Sequence, residues 1–311
     1  MGAHGMLFEF VDFANARPAA ALAPFGLPSG IFWLYFSASL LLVVGLVKIL
    51  KNELPQTHGL DKIMPFGRLF LAIPLAVFGT EHFTSTGNIA DIVPRWIPAH
   101  TFWVYLVGIA LIAAALSITV QIQSPLAATL LGATFFSFVL LIHIPNIIAH
   151  PRNRFFWAIA LREIAFSGGA LAYAGSHGRS GRTGGVAGLV TVGRFFVALP
   201  AVFFGLEHFP HPEFAPGVPL AKIVPQWIPG RLLWAYLAGA VLVAAGLALI
   251  VNKKARMAAT CLGFMILLLV LFVYLPILVA SPTDIVALNY FFDTLLFSGA
   301  ALLLADALRK E

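Results

Sequence analysis

Hydrophobic side chains fill most of the chain in long runs, and polar side chains are confined to the short segments between these runs. About 20 apolar residues are enough to cross a hydrocarbon core of about 30 Å as a helix. Nine runs reach or approach this length: residues 30–50, 66–83, 102–122, 126–148, 155–174, 193–209, 232–251, 255–280 and 285–304. The pattern predicts an all-α, polytopic membrane protein with about nine transmembrane helices.

The composition agrees with a lipid environment and excludes several kinds of chemistry. Of the 311 residues, 60% are hydrophobic and 10% are charged, whereas soluble domains carry about 25% charged residues. The single cysteine, Cys261, excludes an intramolecular disulfide and a Cys-rich zinc site. The net charge of +6 is scattered through the loops with no basic stripe, so we expect no nucleic-acid partner. Motifs of hydrolytic and phosphoryl-transfer enzymes are also missing from the sequence.

The basic residues predict the orientation in the membrane, because cytoplasmic loops are enriched in Lys and Arg. Of the 19 Lys and Arg, Arg162 lies inside a span, and one side receives Arg17, Arg95, Arg152, Arg154, Lys222 and Arg231. The other side receives Lys48, Lys51, Lys62, Arg68, Arg179, Arg182, Arg194, Lys253, Lys254, Arg256, Arg309 and Lys310. We therefore expect an N-terminus outside and a cytoplasmic C-terminus, with the protein in a prokaryotic inner (cytoplasmic) membrane.

Two parts of the chain repeat each other. Residues 68–83 read RLFLAIPLAVFGTEHF and residues 194–209 read RFFVALPAVFFGLEHF, with 9 of 16 positions identical. Residues 90–108 match residues 221–239 at 11 of 19 positions, at an offset of 131. We therefore predict a first four-helix unit at 66–175 and a second at 193–311, forming two tandem four-helix bundles.

The remaining segments follow from this division of the chain. We predict an extracytoplasmic N-terminal segment at 1–28, an extra transmembrane helix at 29–51 and a cytoplasmic Gly/Ser/Arg linker at 176–192. Because each unit holds an even number of spans, both units enter the membrane in the same direction. The expected relation between them is a pseudo-twofold axis along the membrane normal.

The repeated motif resembles the DoxX family of integral membrane proteins. Each copy has an Arg opening the first helix, Gly-x-Glu-His-Phe closing it, then Val-Pro-x-Trp-Ile-Pro and Trp-x-Tyr-x-x-Gly. The chain departs from the family where many members carry a Glu in the second helix, since residues 109–111 and 240–242 are apolar here. The resemblance implies a membrane four-helix bundle per unit and an association with quinone-linked respiratory or sulfur redox systems.

Ionisable side chains inside spans are costly in lipid and often mark binding sites or proton pathways. In the first unit these candidates gather toward the outer ends of the spans: Glu81, His82, His143, Arg162 and Glu163. Arg162 can extend toward Glu81 and pair with it. The two histidines and Glu163 then remain for a ligand or a proton.

The second unit carries different side chains at the matching positions, so its chemistry should differ. Glu207 and His208 are retained, whereas Tyr274 replaces His143 and Asp293 replaces Arg162. Because no Arg or Lys lies in the same spans, we expect Glu207 and Asp293 to bind a proton or a cation. A metal site would use Glu207, His208 and Asp293. The alternative is that Glu207 only hydrogen-bonds the backbone of the loop that follows it.

Three cofactors are compatible with the histidines. A quinone headgroup needs hydrogen-bond donors near the interface, which His82 or His208 could supply with the adjacent Glu. Haem needs an axial His facing a cavity, and His82 with His143 could provide two ligands. A metal is the third candidate, and a purely structural role as interfacial side chains is the alternative for all of these histidines.

Proline-rich segments join the first two helices of each unit on the outer side. Pro94, Trp96 and Pro98 form the first, and Pro225, Trp227 and Pro229 form the second. Because two prolines so close together break a helix, each segment should lie at the interface or dip over its bundle. The segment would act either as a lid over a ligand or as an aromatic anchor in the interfacial belt.

Three functions fit these features. The first is a redox-linked subunit associated with quinone or metal, in which case the chain is a non-catalytic part of a quinone-linked oxidoreductase with other membrane or redox proteins as partners. The second is a structural or assembly subunit of a larger membrane complex, with residues 29–51 as the docking element. The third is a small-solute or ion transporter, against which the apolar cytoplasmic halves of the spans argue.

Overall fold

The structure is a computed structural model, and it describes residues 24–177, 185–212 and 229–308. We number its nine long helices in chain order. They are α1 (Ser29–Lys48), α2 (Met64–Thr84), α3 (His100–Val120), α4 (Ser124–Phe138), α5 (Arg154–His177), α6 (Gly185–Glu207), α7 (Arg231–Ile250), α8 (Ala255–Leu269) and α9 (Ile285–Ala307). Within these described ranges the chain is helical, with turns between the helices and no β-strand.

The long helices are suited to a bilayer. In the described part of the chain, nine helical segments of 20 to 28 residues are long and apolar enough to cross a membrane. Some are extended by further helical turns, so that the segment containing α4 runs over Ser124–Ala149 and the one containing α8 over Ala255–Ala280. The prediction of nine apolar spans is confirmed, and their composition indicates an integral membrane protein in contact with lipid.

Helix ends differ from the sequence prediction at two places. The predicted linker at 176–192 is too long, because α5 continues to His177 and α6 already begins at Gly185. Residues 178–184 of that linker lie outside the described residues, as does the predicted N-terminal segment up to residue 23. The first span is longer than residues 29–51, since a π-helical turn at Ile49–Glu53 and a 3-10 turn at Leu54–Gln56 extend it.

Helix packing joins the two units into one interleaved body. Neighbours in sequence pack together within each unit, from α2 through α5 and from α6 through α9. The first helix of each unit packs extensively on the last helix of the other, α2 on α9 and α6 on α5, and α5 and α9 also pack on each other. In a self-contained four-helix bundle the first and last helices pack on each other, whereas here the extensive contacts of α2 and α6 are made with the last helix of the other unit.

Glycines make this exchange of helices possible. A Cβ added to Gly168 would lie 2.8 Å from the Gly193 carbonyl oxygen on α6, and one added to Gly299 would lie 2.9 Å from the Gly67 carbonyl oxygen on α2. The helix backbones thus approach closely at both contacts, as small residues permit in membrane bundles.

The extra helix α1 is attached to the first unit by polar contacts as well as packing. Glu53, beyond the end of α1, forms an ion pair with Arg68 of α2, and the Lys48 ammonium donates a hydrogen bond to the Val120 carbonyl. In the second unit, Arg194 instead donates to the carbonyls of Leu249 and Ile250 at the end of α7. The α1 segment therefore serves as an integral part of the first unit.

Candidate functional site

A π-helical turn positions the first candidate residue. The α-helical pattern of α4 is interrupted at Val139–His143 and resumes over Ile144–Ala149, with Pro145 in the first turn. Because proline cannot donate to the preceding turn, the wider π turn accommodates it. The interruption directs His143 toward α5, where its Nε2 atom lies 2.9 Å from Oε2 of Glu163. Both side chains are largely buried, at 10% and 18% exposed.

An ion pair beside this contact joins the two units. Nη1 of Arg162 on α5 lies 2.9 Å from Oδ2 of Asp293 on α9, and the two side chains are only 13% and 15% exposed. Glu163 directly follows Arg162 on α5, so the two pairs lie side by side. The two pairs therefore form one buried cluster, in which a change of charge on Glu163 affects the Arg162–Asp293 pair.

The remaining carboxylates of the candidate set are also paired. Glu207 at the end of α6 forms an ion pair with Arg154 at the start of α5. Glu81 near the end of α2 accepts a hydrogen bond from the Asn289 side-chain amide on α9, with an N–O distance of 3.3 Å. Each of these contacts again crosses from one unit to the other.

These contacts correct the expectation for the second unit. The absence of Lys and Arg from its own spans predicted that Glu207 and Asp293 lack a basic partner, and this is wrong. Arg154 and Arg162 of the first unit supply the positive charges because α5 packs on both α6 and α9. The alternative in which Glu207 bonds only its own loop also does not describe its ion pair.

The two histidines that directly follow Glu81 and Glu207 share one geometry. Nδ1 of His82 donates to the Phe78 carbonyl at 2.7 Å, and Nδ1 of His208 donates to the Phe204 carbonyl at 2.7 Å. A neutral ring that donates from Nδ1 keeps Nε2 as an acceptor. The His208 side chain is buried, and its Nε2 has no hydrogen-bond partner within the described part of the chain.

The arrangement offers little for a metal or a haem. Among the described residues no group of three or more His, Cys, Asp or Glu is placed to hold a metal ion. Glu207 and Asp293 pair with different arginines, so the predicted set Glu207, His208 and Asp293 is not gathered on one point. The haem alternative needs His143 to present Nε2 to iron, and that atom contacts Glu163.

The second unit has a polar contact of another kind at the matching place. A π-helical turn at Val270–Tyr274 repeats the local geometry, but it carries Tyr274 where the first unit has His143. The buried Tyr274 hydroxyl contacts Thr294, whose own hydroxyl donates to the Tyr290 carbonyl at 2.8 Å. A hydroxyl pair of Tyr274 and Thr294 therefore stands where the first unit has the imidazole–carboxylate pair of His143 and Glu163.

The proline-rich segment of the first unit lies open to the surroundings. Pro94, Trp96 and Pro98 form turns after the short helix Thr86–Ala90, and the Trp96 side chain is 69% exposed. This exposure favours the interfacial anchor over a closed lid. In the second unit Pro229 precedes α7 at an exposed turn, whereas Pro225 and Trp227 lie outside the described residues.

Two residues that contact the candidate carboxylates were missed by the sequence interpretation. Arg154 was assigned to an outer loop and Asn289 to an apolar span, yet each contacts a candidate carboxylate. A signal for Asn289 was present, since it precedes Asp293 by four residues and so shares its helix face. For Arg154 the signal was its place at the start of a span, two turns before Arg162.

Comparison with known proteins relates part of the chain to a family of unknown function. A family model described as a domain of unknown function, DUF8561, matches residues 71–168. The matched range begins within α2 and ends within α5, so it covers most of the first unit and includes His143, Arg162 and Glu163. No curated protein matches the chain, and no solved structure does.

Proposed function

We propose that this protein is a redox-linked membrane subunit whose His143–Glu163 pair exchanges protons with a quinone-type headgroup near the outer membrane face. The observation that carries the proposal is the buried contact between His143 Nε2 and Glu163 Oε2 at 2.9 Å. An imidazole in contact with a carboxylate can take up and release a proton near neutral pH. Reduction of a quinone requires such a group within hydrogen-bond reach.

The charge balance of the cluster supports a role in proton exchange. Among the described residues, four carboxylates, Glu81, Glu163, Glu207 and Asp293, lie toward this end of the helices, and the guanidinium groups of Arg154 and Arg162 pair with two of them. An unpaired carboxylate is costly in a low-dielectric environment. A proton shared between His143 and Glu163 would lower the cost of burying the Glu163 charge, which supports a role of this contact in proton exchange.

The resemblance to DoxX supports the quinone as the redox partner. The Glu-His-Phe ends of α2 and α6 belong to the motif on which the resemblance rests, and they border the same end of the bundle. The proposed arrangement places this end outside, in a prokaryotic inner membrane, with partner proteins supplying the electron carrier. The two units would be related by a pseudo-twofold axis along the membrane normal, for which the offset of 131 residues is the sequence support.

A structural or assembly role is the second candidate, and a separate observation favours it. The ion pairs Arg154–Glu207 and Arg162–Asp293 connect the units and would hold them in register without any ligand. Buried polar pairs of this kind can specify one arrangement of helices even when they add little stability. In this case the cluster would be insensitive to quinone.

The experiment is extraction of quinone from protein purified in a mild detergent. The test variant combines His143→Tyr with Glu163→Thr, which are the residues of the second unit at the matching positions. Because the second unit accommodates a Tyr–Thr contact, this variant should fold. The control is Thr294→Val, which removes a hydroxyl at the matching position of the other unit.

The proposal expects about one quinone per wild-type and control chain, and at least tenfold less in the Tyr/Thr variant. Wild-type protein free of quinone, or a Tyr/Thr variant that retains it, would contradict the redox proposal. A Tyr/Thr variant that retains quinone and has an unchanged fold would favour the structural role.

A further inference from the structure

Three contacts between α5 and α9 each join residues that are 131 positions apart in the chain. Arg162 contacts Asp293, the rings of Phe166 and Phe297 have centroids 6.4 Å apart, and a Cβ added to Gly169 would lie 2.4 Å from Ala300 Cα. The separation of 131 residues is also the offset of the sequence repeat. Because residues four and seven positions apart share one face of a helix, the three contacts follow one line along α5.

A residue touches its own counterpart only where a twofold axis passes, since elsewhere a symmetric interface exchanges residue i with residue j. The neighbouring contacts follow this exchange. Gly168 approaches Gly193 of α6, and its counterpart Gly299 approaches Gly67 of α2. The line from Arg162 to Gly169 therefore lies along a local twofold axis between the two units.

We propose that Arg162 and Asp293 are the specificity-determining pair that makes each unit accept only the other as its partner. Around this axis, a first unit paired with another first unit would place Arg162 against Arg162. Two second units would place Asp293 against Asp293. Both arrangements bring like charges together at a site that is largely removed from water, whereas the mixed arrangement neutralises both charges.

Neither of the other two contacts on the axis disfavours both like pairings. Phe166 and Phe297 are identical in type, so the ring contact forms in every combination. Gly169 and Ala300 differ by one methyl group, so two second units would bring two alanines into this close approach and overpack it, whereas a pair of glycines would leave only a small gap. The charged position alone carries opposite signs in the two units. This inference concerns the pairing of the units and holds whether or not a quinone binds.

The test uses the full chain with a protease site inserted within residues 178–184 and an affinity tag on the N-terminus. The purified chain is cut, and the second half that stays with the tagged first half is measured. Four chains are compared: wild type, Arg162→Asp, Asp293→Arg, and the exchange of both. Arg152→Asp, at an exposed turn just before α5, makes the same change of charge away from the axis and is the control.

Wild type, the exchange variant and the control should retain the second half equally. In each single variant the second half should bind the first half with a roughly 100-fold lower association constant. A loss of this order is typical of breaking a buried ion pair. Should the single variants fail to accumulate, recovery of the exchange variant to the wild-type yield supports the pairing account. Retention by the single variants, or failure of the exchange to restore it, would overturn the account.

Discrimination is then measured directly by mixing cut wild-type and cut exchange chains. The detergent is chosen so that wild type and isotope-labelled wild type scramble their halves to equal amounts. Under the same condition, wild-type first halves should recover wild-type second halves at least tenfold over those with Asp293→Arg, as judged by mass. Equal recovery of the two second halves would show that the charged pair does not select the partner.

Discussion

Adding a single methyl group at Gly169 tests the close approach of α5 and α9. The new Cβ of Gly169→Ala would lie 2.4 Å from both Cα and Cβ of Ala300 and 3.0 Å from its carbonyl oxygen. Carbon atoms in favourable contact are about 3.5–4.0 Å apart, so the helices must separate by about 1 Å. Overpacking of this kind costs about 1–3 kcal/mol.

Helix propensity offsets part of this cost, because Ala is favoured over Gly by about 1 kcal/mol in a helix. The net loss of unfolding free energy should be up to about 2 kcal/mol, which lowers the Tm by up to about 6 °C. Thermal unfolding in detergent, followed by tryptophan fluorescence, measures it. Gly188→Ala is the matched control, since a Cβ there meets nothing within 4 Å. Its Tm should be unchanged or higher.

Equal stability of the two Gly→Ala variants would refute the close contact of α5 with α9. A further check is Ala300→Gly in the Gly169→Ala background. Because this change removes one of the atoms that the new methyl group meets, it should restore part of the lost stability. Because Gly in place of Ala also costs about 1 kcal/mol in a helix, a double variant less stable than Gly169→Ala by more than this amount would contradict the reasoning.

Three further predictions concern polar contacts. Ser167→Ala and Ser298→Ala each remove a buried hydroxyl that donates to a helix carbonyl at 2.8 Å, so each should cost about 1 kcal/mol in thermal unfolding, and the two losses should add. Glu53→Gln leaves the buried guanidinium of Arg68 without its charged partner and should cost about 3 kcal/mol in thermal unfolding. Proteolysis after α1 should also become faster. An unchanged rate of proteolysis would contradict the attachment of α1 to α2 by this pair. Arg256→Gln breaks an ion pair whose side chains are 39% and 34% exposed, so a loss well above about 1 kcal/mol would be unexpected.

The number and placement of the spans could be predicted from sequence because apolar length is a local property. The nine runs match the nine apolar helices of the described residues, and the errors are at ends such as residues 176–192, where helix α6 already begins at Gly185. The partners of the helices could not be predicted in this way. Each span is apolar on several faces, so hydropathy does not show that α2 packs on α9 rather than on α5.

The candidate residues were found, but most of their partners were not. Glu81, Glu163, Glu207 and Asp293 stand out because charge is rare in spans, whereas the pairing of Arg162 with Asp293 depends on how the units meet. A signal was nevertheless present in the repeat. Opposite charges at positions 131 apart are what a contact across a twofold axis would require.

The most direct test of the central claim is a binding titration with a short-chain quinone, followed by quenching of tryptophan fluorescence. The account predicts saturable binding to wild type, at least tenfold weaker binding to Glu163→Gln, and unchanged binding to Thr294→Val. Glu163→Gln keeps the size of the side chain and removes its charge, so the comparison isolates the contact with His143. Equal affinity of wild type and Glu163→Gln, or no saturable binding to wild type, would contradict it.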